Sequence, residues 1–174
     1  MKKQLIIITL FMLNAALAKA QDPTFPPPGT NFPNPSLDQF VGTWSWTNGS
    51  DTLKIKLKKV NYLDMAGYTR DALIGYHYYK KAGTLIESSF THINSAYTEY
   101  KHTLLLSNTS GQGDSVLTGG MDDLTKNKSF SIRLDVNLVQ HTMAMKITEV
   151  SGVRVNTPTP YVFTIPNNIT LTKQ

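Results

Sequence analysis

What most limits the fold of this 174-residue chain is a rhythm of two. Phe130, Ile132, Leu134, Val136 and Leu138 alternate with Ser131, Arg133, Asp135 and Asn137, which is the spacing of a strand with one dry and one wet face. The same alternation returns along most of the chain, and no window sustains the 3.6-residue period of a helix. Strands are expected over 40–47, 52–60, 72–80, 84–91, 102–109, 115–121, 129–139, 142–150, 159–165 and 169–173. Turn residues separate many of them: Asn48-Gly49, Ala82-Gly83, Ser110-Gly111-Gln112-Gly113, Ser151-Gly152 and Pro166-Asn167-Asn168. Long strands joined by short loops favour an antiparallel up-and-down meander of about 8 to 10 strands. Closing it into a β-barrel removes the exposed edges of an open sheet. A β-sandwich is the alternative.

Ahead of the strands lie two segments of different character. Residues 1–20 carry Lys2 and Lys3, an apolar run from Leu5 to Leu17, and the small residues Ala18 and Ala20. That is the layout of a signal peptide, with an apolar run too short for a membrane anchor. Export to the periplasm or the extracellular space is the expectation. The chain has no cysteine, so neither lipidation at a cysteine nor disulfides can help it, and stability must come from the core. Removing residues 1–20 leaves 154 residues with 14 basic and 12 acidic side chains, a net charge of +2. With so small an excess a nucleic-acid partner is not expected. Residues 21–36 hold six of the nine prolines and read as an extended linker. Residues 37–174 form the single expected domain, a monomer. Ser36 and Gln39 have the spacing of a capping box, which predicts one helical turn leading into Phe40.

The first hairpin can be worked out in register. If Asn48-Gly49 is the two-residue turn, Trp44 opposes Leu53, Gly42 opposes Ile55 and Phe40 opposes Leu57, all on one face. Thr43 with Lys54 and Val41 with Lys56 take the other. Lys54, Lys56, Lys58 and Lys59 then form a basic stripe on the outward side, most simply a solvated face that discourages sheet pairing.

Phe40-Val41-Gly42-Thr43-Trp44, preceded by one helical turn and opening the first of many antiparallel strands, resembles the Gly-x-Trp start of lipocalins and fatty-acid-binding proteins, the calycin group. The resemblance implies that Trp44 closes one end of a barrel and that Gly42 lets it lie close across the backbone. The pair of helices that fatty-acid-binding proteins insert after the first strand is missing, as is their Arg-x-Tyr near the C-terminus. The arginine that lipocalins stack on the motif tryptophan is also absent from the last strand, where Lys173 or Arg154 could stand in. No binding residue is therefore carried over from the resemblance. The whole layout also resembles a group of bacterial exported lipocalin-like proteins of unknown function with a Phe-x-Gly-Thr-Trp start.

No motif with a catalytic mechanism is present, and an enzyme is not expected. His77, His92, His102 and His141 lack metal-ligand spacing, although His92 and His102 could meet across a hairpin. No Gly-x-Ser-x-Gly elbow occurs, Asp122-Asp123 lies in a turn-like segment, and no helix follows Gly119-Gly120 to make a phosphate loop. No metal or cofactor is expected. The residues best suited to line a pocket are Tyr76 and Tyr78, together with Met143 and Met145; on an alternating strand Tyr76 and Tyr78 share one face and His77 and Tyr79 the other, and whichever faces inward supplies hydroxyls among apolar walls. A small hydrophobic ligand is the expected guest. The same tyrosines and methionines equally suit a closed core without a cavity, in which case the barrel would serve as a structural or protein-interaction module of the cell envelope.

Overall fold

A computed structural model of the chain describes residues 27–63, 67–108, 113–148 and 162–174. The expected signal peptide, Arg154, the expected turn at Ser151-Gly152 and most of the Ser110–Gly113 cluster lie outside the described residues. Among the described residues there are ten strands: β1 (Asn31–Phe32), β2 (Gly42–Asn48), β3 (Asp51–Leu63), β4 (Thr69–Lys81), β5 (Thr84–Ser88), β6 (Leu104–Ser107), β7 (Val116–Asp123), β8 (Lys128–Asn137), β9 (Thr142–Thr148) and β10 (Ile169–Lys173). They pair in the order β4-β3-β2-β10-β9-β8-β7-β6, and β6 pairs back onto β4. Eight antiparallel strands thus close a barrel, and the sandwich alternative falls with that last pairing. β1 and β5 are extra strands on the free edge of β4, β1 in parallel.

Alternation does what the sequence asks of it. β8 and β9 bury every second residue, so Phe130, Ile132, Leu134 and Val136 meet Met143, Met145 and Ile147 on the inner face. The first hairpin keeps the expected faces but not the expected partners. Its central residues are Gly49 and Ser50, with Asn48 opposite Asp51, so Trp44 opposes Ile55, Gly42 opposes Leu57 and Trp46 opposes Leu53. Gly49 takes φ +59° as first central residue, the place a type II′ turn reserves for glycine. Moving the turn by one residue shifts every pair by two, which preserves the faces.

The helical turn spans Pro35–Phe40, one residue wider on both sides than expected, and its cap is Asn34, whose side chain accepts from the Ser36 amide. Gln39 reaches back to the Ser36 carbonyl instead of its amide. Residues 29–34 of the proline-rich leader lie along the start of β4: Thr69 donates to the Thr30 carbonyl at 2.9 Å, and Asn34 donates to the Asp71 carboxylate at 2.9 Å.

Two expected strands, 84–91 and 159–165, do not extend over residues 89–91 and 162–165. After Ser88 the chain turns into a short helix, Phe90–His92, and residues 162–165 are irregular, with Ile165 buried and Phe163 set edge-on against Phe130 at 4.7 Å. Residues 149–150 and 159–161 are outside the described part. Asn167 continues the sheet without a strand, since its amide group accepts from Ile147 N–H at 2.6 Å and donates to Ile147 C=O at 2.8 Å.

Candidate functional site

The motif residues meet at one end of the barrel. Phe40 and Trp44 are fully buried, and the Trp44 indole N–H donates to the Phe40 carbonyl at 2.8 Å. Gly42 holds φ +134°, and a Cβ there would stand 3.2 Å from Lys173 Cε. Lys173 uses that clearance to place its ammonium 5.2 Å from the centre of the Trp44 ring and 3.1 Å from the Gln39 carbonyl. A cation over an aromatic face is attractive, so Lys173 occupies the place the resemblance gives to an arginine.

The four pocket candidates are not brought together. Met143 and Met145 sit in the inner core beside Leu134, Val136 and Leu171. Tyr76 and Tyr78 oppose Lys56 and Lys54 on the outer face. There they lie beneath residues 89–103, a strap that crosses the outside of β3 and β4. Phe90 packs on Tyr78 and Tyr97 on Tyr62, both at 5.8 Å, while the Lys58 ammonium donates to the Ile93 carbonyl at 2.8 Å. Tyr76 is fully buried and its hydroxyl has no hydrogen-bond partner; loss of water, aided by the Glu99 charge, pushes its pKa up.

Facing inward from β4 is His77, at the one place where the wall changes partners. β6 pairs with Leu73–Gly75 and β5 with Tyr78–Lys81, which leaves a fork between them. The Ser89 hydroxyl accepts the His77 backbone N–H at 2.9 Å. His77 Nδ1 lies 2.8 Å from the Thr103 hydroxyl, which lies 3.0 Å from Ser89 Oγ. On its other side, His77 Nε2 is 3.0 Å from Glu87 Oε1, and Glu87 Oε2 accepts from both the N–H and the hydroxyl of Thr125. With a neutral ring, Ser89 donating to Thr103, Thr103 to Nδ1 and Nε2–H to the carboxylate satisfies these contacts; with both ring nitrogens protonated, Nδ1–H donates to Thr103, Thr103 to Ser89, and Ser89 to the His77 carbonyl at 3.3 Å. Burial alone would raise the Glu87 pKa, but the hydrogen bonds from His77 and Thr125 outweigh it and hold the carboxyl below its ordinary range. The array has the residue types of a hydrolytic triad, yet His77, Ser89, Thr103 and Glu87 are all buried and both hydroxyls already serve the fork. Its work is to knit β4, β5 and the start of β6.

Alternation hides this group from sequence reading. A regular Ala82-Gly83 hairpin would set Glu87 opposite Tyr78, on the outer face. A bulge between Tyr79 and Lys80 in the β4–β5 register instead sets it opposite Tyr79, facing in. His92 and His102 do not form a metal centre, and no cluster of metal-binding side chains occurs among the described residues.

Among the openings on the outside of the barrel, one of about 350 Å³ lies at the β7–β8 turn, among Asp122, Asp123, Leu124 and Lys128, and two are larger. One, of about 610 Å³, runs between β3 and the strap, lined by Val41, Lys56, Lys58 and Ile93 among others; the other, of about 420 Å³, lies over β8, β9 and β10. At the inner end of the core the gap among Met121, Phe130, Ile147 and Phe163 is about 10 Å³, room for a single water at most. The basic stripe is shorter than expected. Lys54, Lys56 and Lys58 point outward, but Lys59 opposes Leu73 on the other face and pairs with Asp38 and Asp71.

A closed eight-stranded antiparallel meander, with Trp44 across one end and a helical turn leading into it, is a lipocalin-like β-barrel. The chain belongs to DUF6705, a family of unknown function, whose model matches residues 1–174. No curated protein and no solved structure matches it.

Proposed function

We propose that the protein is an exported, non-catalytic binding module in which the barrel is a solid scaffold and the outer sheet surface around β3 makes the contacts. The observation that carries this is the division of side chains between faces. The inner face is given to Phe40, Trp44, Leu53, Ile55, Leu57 and their neighbours, packed to about 1% exposure or less, while both large openings and the lysine row lie outside. A ligand enclosed by tyrosines and methionines together has no place in that division. The signal-like N-terminus and the Phe-x-Gly-Thr-Trp layout support export and membership of the exported lipocalin-like group. The buried state of the Ser89–Thr103–His77–Glu87 array supports binding over catalysis.

Native mass spectrometry of residues 21–174 recovered from the natural host tests the reading. The expected spectrum shows the bare polypeptide mass. A stoichiometric small-molecule adduct released only on unfolding would put a ligand inside the barrel and overturn it.

A further inference from the structure

Register across the outer wall assembles a surface that no single strand reveals. Lys54 opposes Ser45, Ser45 opposes Thr172, Thr172 opposes Thr142, and Thr142 opposes Asn137, one continuous row over β3, β2, β10, β9 and β8. At about 4.8 Å per strand it runs roughly 19 Å. Beside it, Lys56 opposes Thr43. Lys54, Lys56 and Lys58 repeat at every second residue, so the three ammonium groups span roughly 14 Å along β3. None of the three is paired with a carboxylate; Lys58 donates only to the Ile93 carbonyl. Further cations stand at Lys80, Lys146 and Arg133. Among the outward positions of these strands the carboxylate is Asp135, already held by Arg133 through two hydrogen bonds of 2.8 and 2.7 Å.

We propose that this face docks an acidic polysaccharide, a polymer carrying carboxylate or sulfate groups. The proposal rests on the outer-surface reading above and names its partner. The row offers hydroxyl, amide and ammonium groups and no apolar side chain, so it lacks the buried anchors on which protein–protein interfaces depend. Beyond Lys54 the row meets Tyr78, a ring half-buried against Phe90 of the strap; the row itself lacks the aromatic platforms on which single-stranded nucleic acids stack their bases. Ammonium groups at strand spacing beside hydroxyls that both donate and accept suit a chain rich in hydroxyls and regularly charged. The groove between Val41, Lys56, Lys58 and the strap, which also holds Asp38 paired with Lys59, gives the polymer a concave entry at one side of the face.

Calorimetric titration of the full mature protein separates the possibilities, with heparin as the sulfated probe, polygalacturonate as the carboxylated one, neutral dextran and oligo-dT as controls. Binding of at least one acidic glycan is expected, weakening as salt rises, with none to dextran. The double variant Lys54→Gln/Lys56→Gln should lose roughly tenfold or more in affinity, whereas Lys126→Gln, in the β7–β8 turn, should not; near-native thermal unfolding of both variants checks the fold. Equal binding by the double variant, equal binding of dextran, or tighter binding of oligo-dT would overturn the proposal, the last in favour of a nucleic acid. Lysine-reactivity footprinting on host cells then tells the two readings apart. Protection of Lys54 and Lys56 without glycan binding means the face is right and the partner wrong, while no protection and no glycan binding removes the outer-surface reading as well.

Discussion

Removing the Glu87 carboxylate should unfasten the barrel at the β4 fork. In Glu87→Ala, His77 Nε2–H, the Thr125 N–H and the Thr125 hydroxyl all lose their acceptor. Buried donors left unpaired cost about 1 to 3 kcal/mol each, and broken buried ionic networks about 3 to 5 kcal/mol in total. A loss of about 3 to 5 kcal/mol is therefore expected. Glu87→Gln should be far milder, about 1 to 2 kcal/mol, because the hydroxyl relay can reverse. Its amide oxygen accepts from Thr125 and its NH₂ donates to Nε2, provided His77 moves its proton to Nδ1 and donates to Thr103, which then donates to Ser89. Urea unfolding followed by the fluorescence of Trp44 and Trp46 measures the stabilities, and ¹⁵N chemical shifts of the His77 ring report the tautomer. Because the folded Glu87 pKa is depressed, its contribution is fully present above the unfolded value near 4.3 and is lost as pH falls through the folded value. Glu87→Gln should accordingly flatten part of the acid limb of the stability profile. An alanine variant costing less than about 1 kcal/mol, or a glutamine variant whose His77 keeps its proton on Nε2, would refute the network.

Trp44→Ala should destabilise by about 3 to 5 kcal/mol in the same urea assay, through the cavity left by a ring only 1% exposed; a loss under about 1 kcal/mol would mean the ring does not close the barrel. Gly119→Ala should cost at least about 2 kcal/mol, since its new Cβ would lie 2.0 Å from the Leu105 carbonyl oxygen of β6. Hydrogen exchange should find the loosening centred on β6 and β7. Asn167→Ala removes both bonds to the Ile147 backbone and should cost about 1 to 3 kcal/mol, with faster amide exchange at Ile147 than elsewhere in β9.

Period-two patterning carried the fold because it records burial directly: a strand that packs one face must alternate, and β8 does so from Ser129 to Asn137. The roles of Gly42 and Trp44 followed instead from the resemblance of Phe40–Trp44 to the calycin start, and their partner Lys173 comes from the other end of the chain. What patterning could not carry were events that alter parity or register by a residue or two. The hairpin turn sits at Gly49-Ser50 instead of Asn48-Gly49, as both dipeptides contain the glycine a tight turn needs. Lys59 looked like a fourth member of the stripe, but parity puts it opposite Leu73. Tyr76 and Tyr78 were legible as a pair on one face, yet which face depended on a strap whose residues have no periodicity at all. His77 and Glu87 lay furthest beyond reach, because their meeting requires the β5 bulge.

A barrel without cysteine has no covalent staple, and this one shows where the lack is met. The cylinder is weakest where its ladders are shortest, and two junctions stand out: β2–β10, with Ser45 and Trp44 opposite Thr172 and Lys173, and β4–β6, with three opposed pairs. Each is reinforced by side chains drawn from elements that the ladder does not join. At the first, Lys173 ties the last strand to the Gln39 carbonyl of the helical turn and to the Trp44 ring. At the second, His77 links β4 to β5 through Glu87 and to the approach of β6 through Thr103. The first device excludes water with an aromatic ring, and the second satisfies polar groups that the fork would otherwise strand in the core. Both draw side chains into the barrel that a ligand would otherwise meet. Closure without disulfides is thus met by side chains reaching across from elements outside the ladders, an arrangement that fits the proposal of recognition on the outer wall.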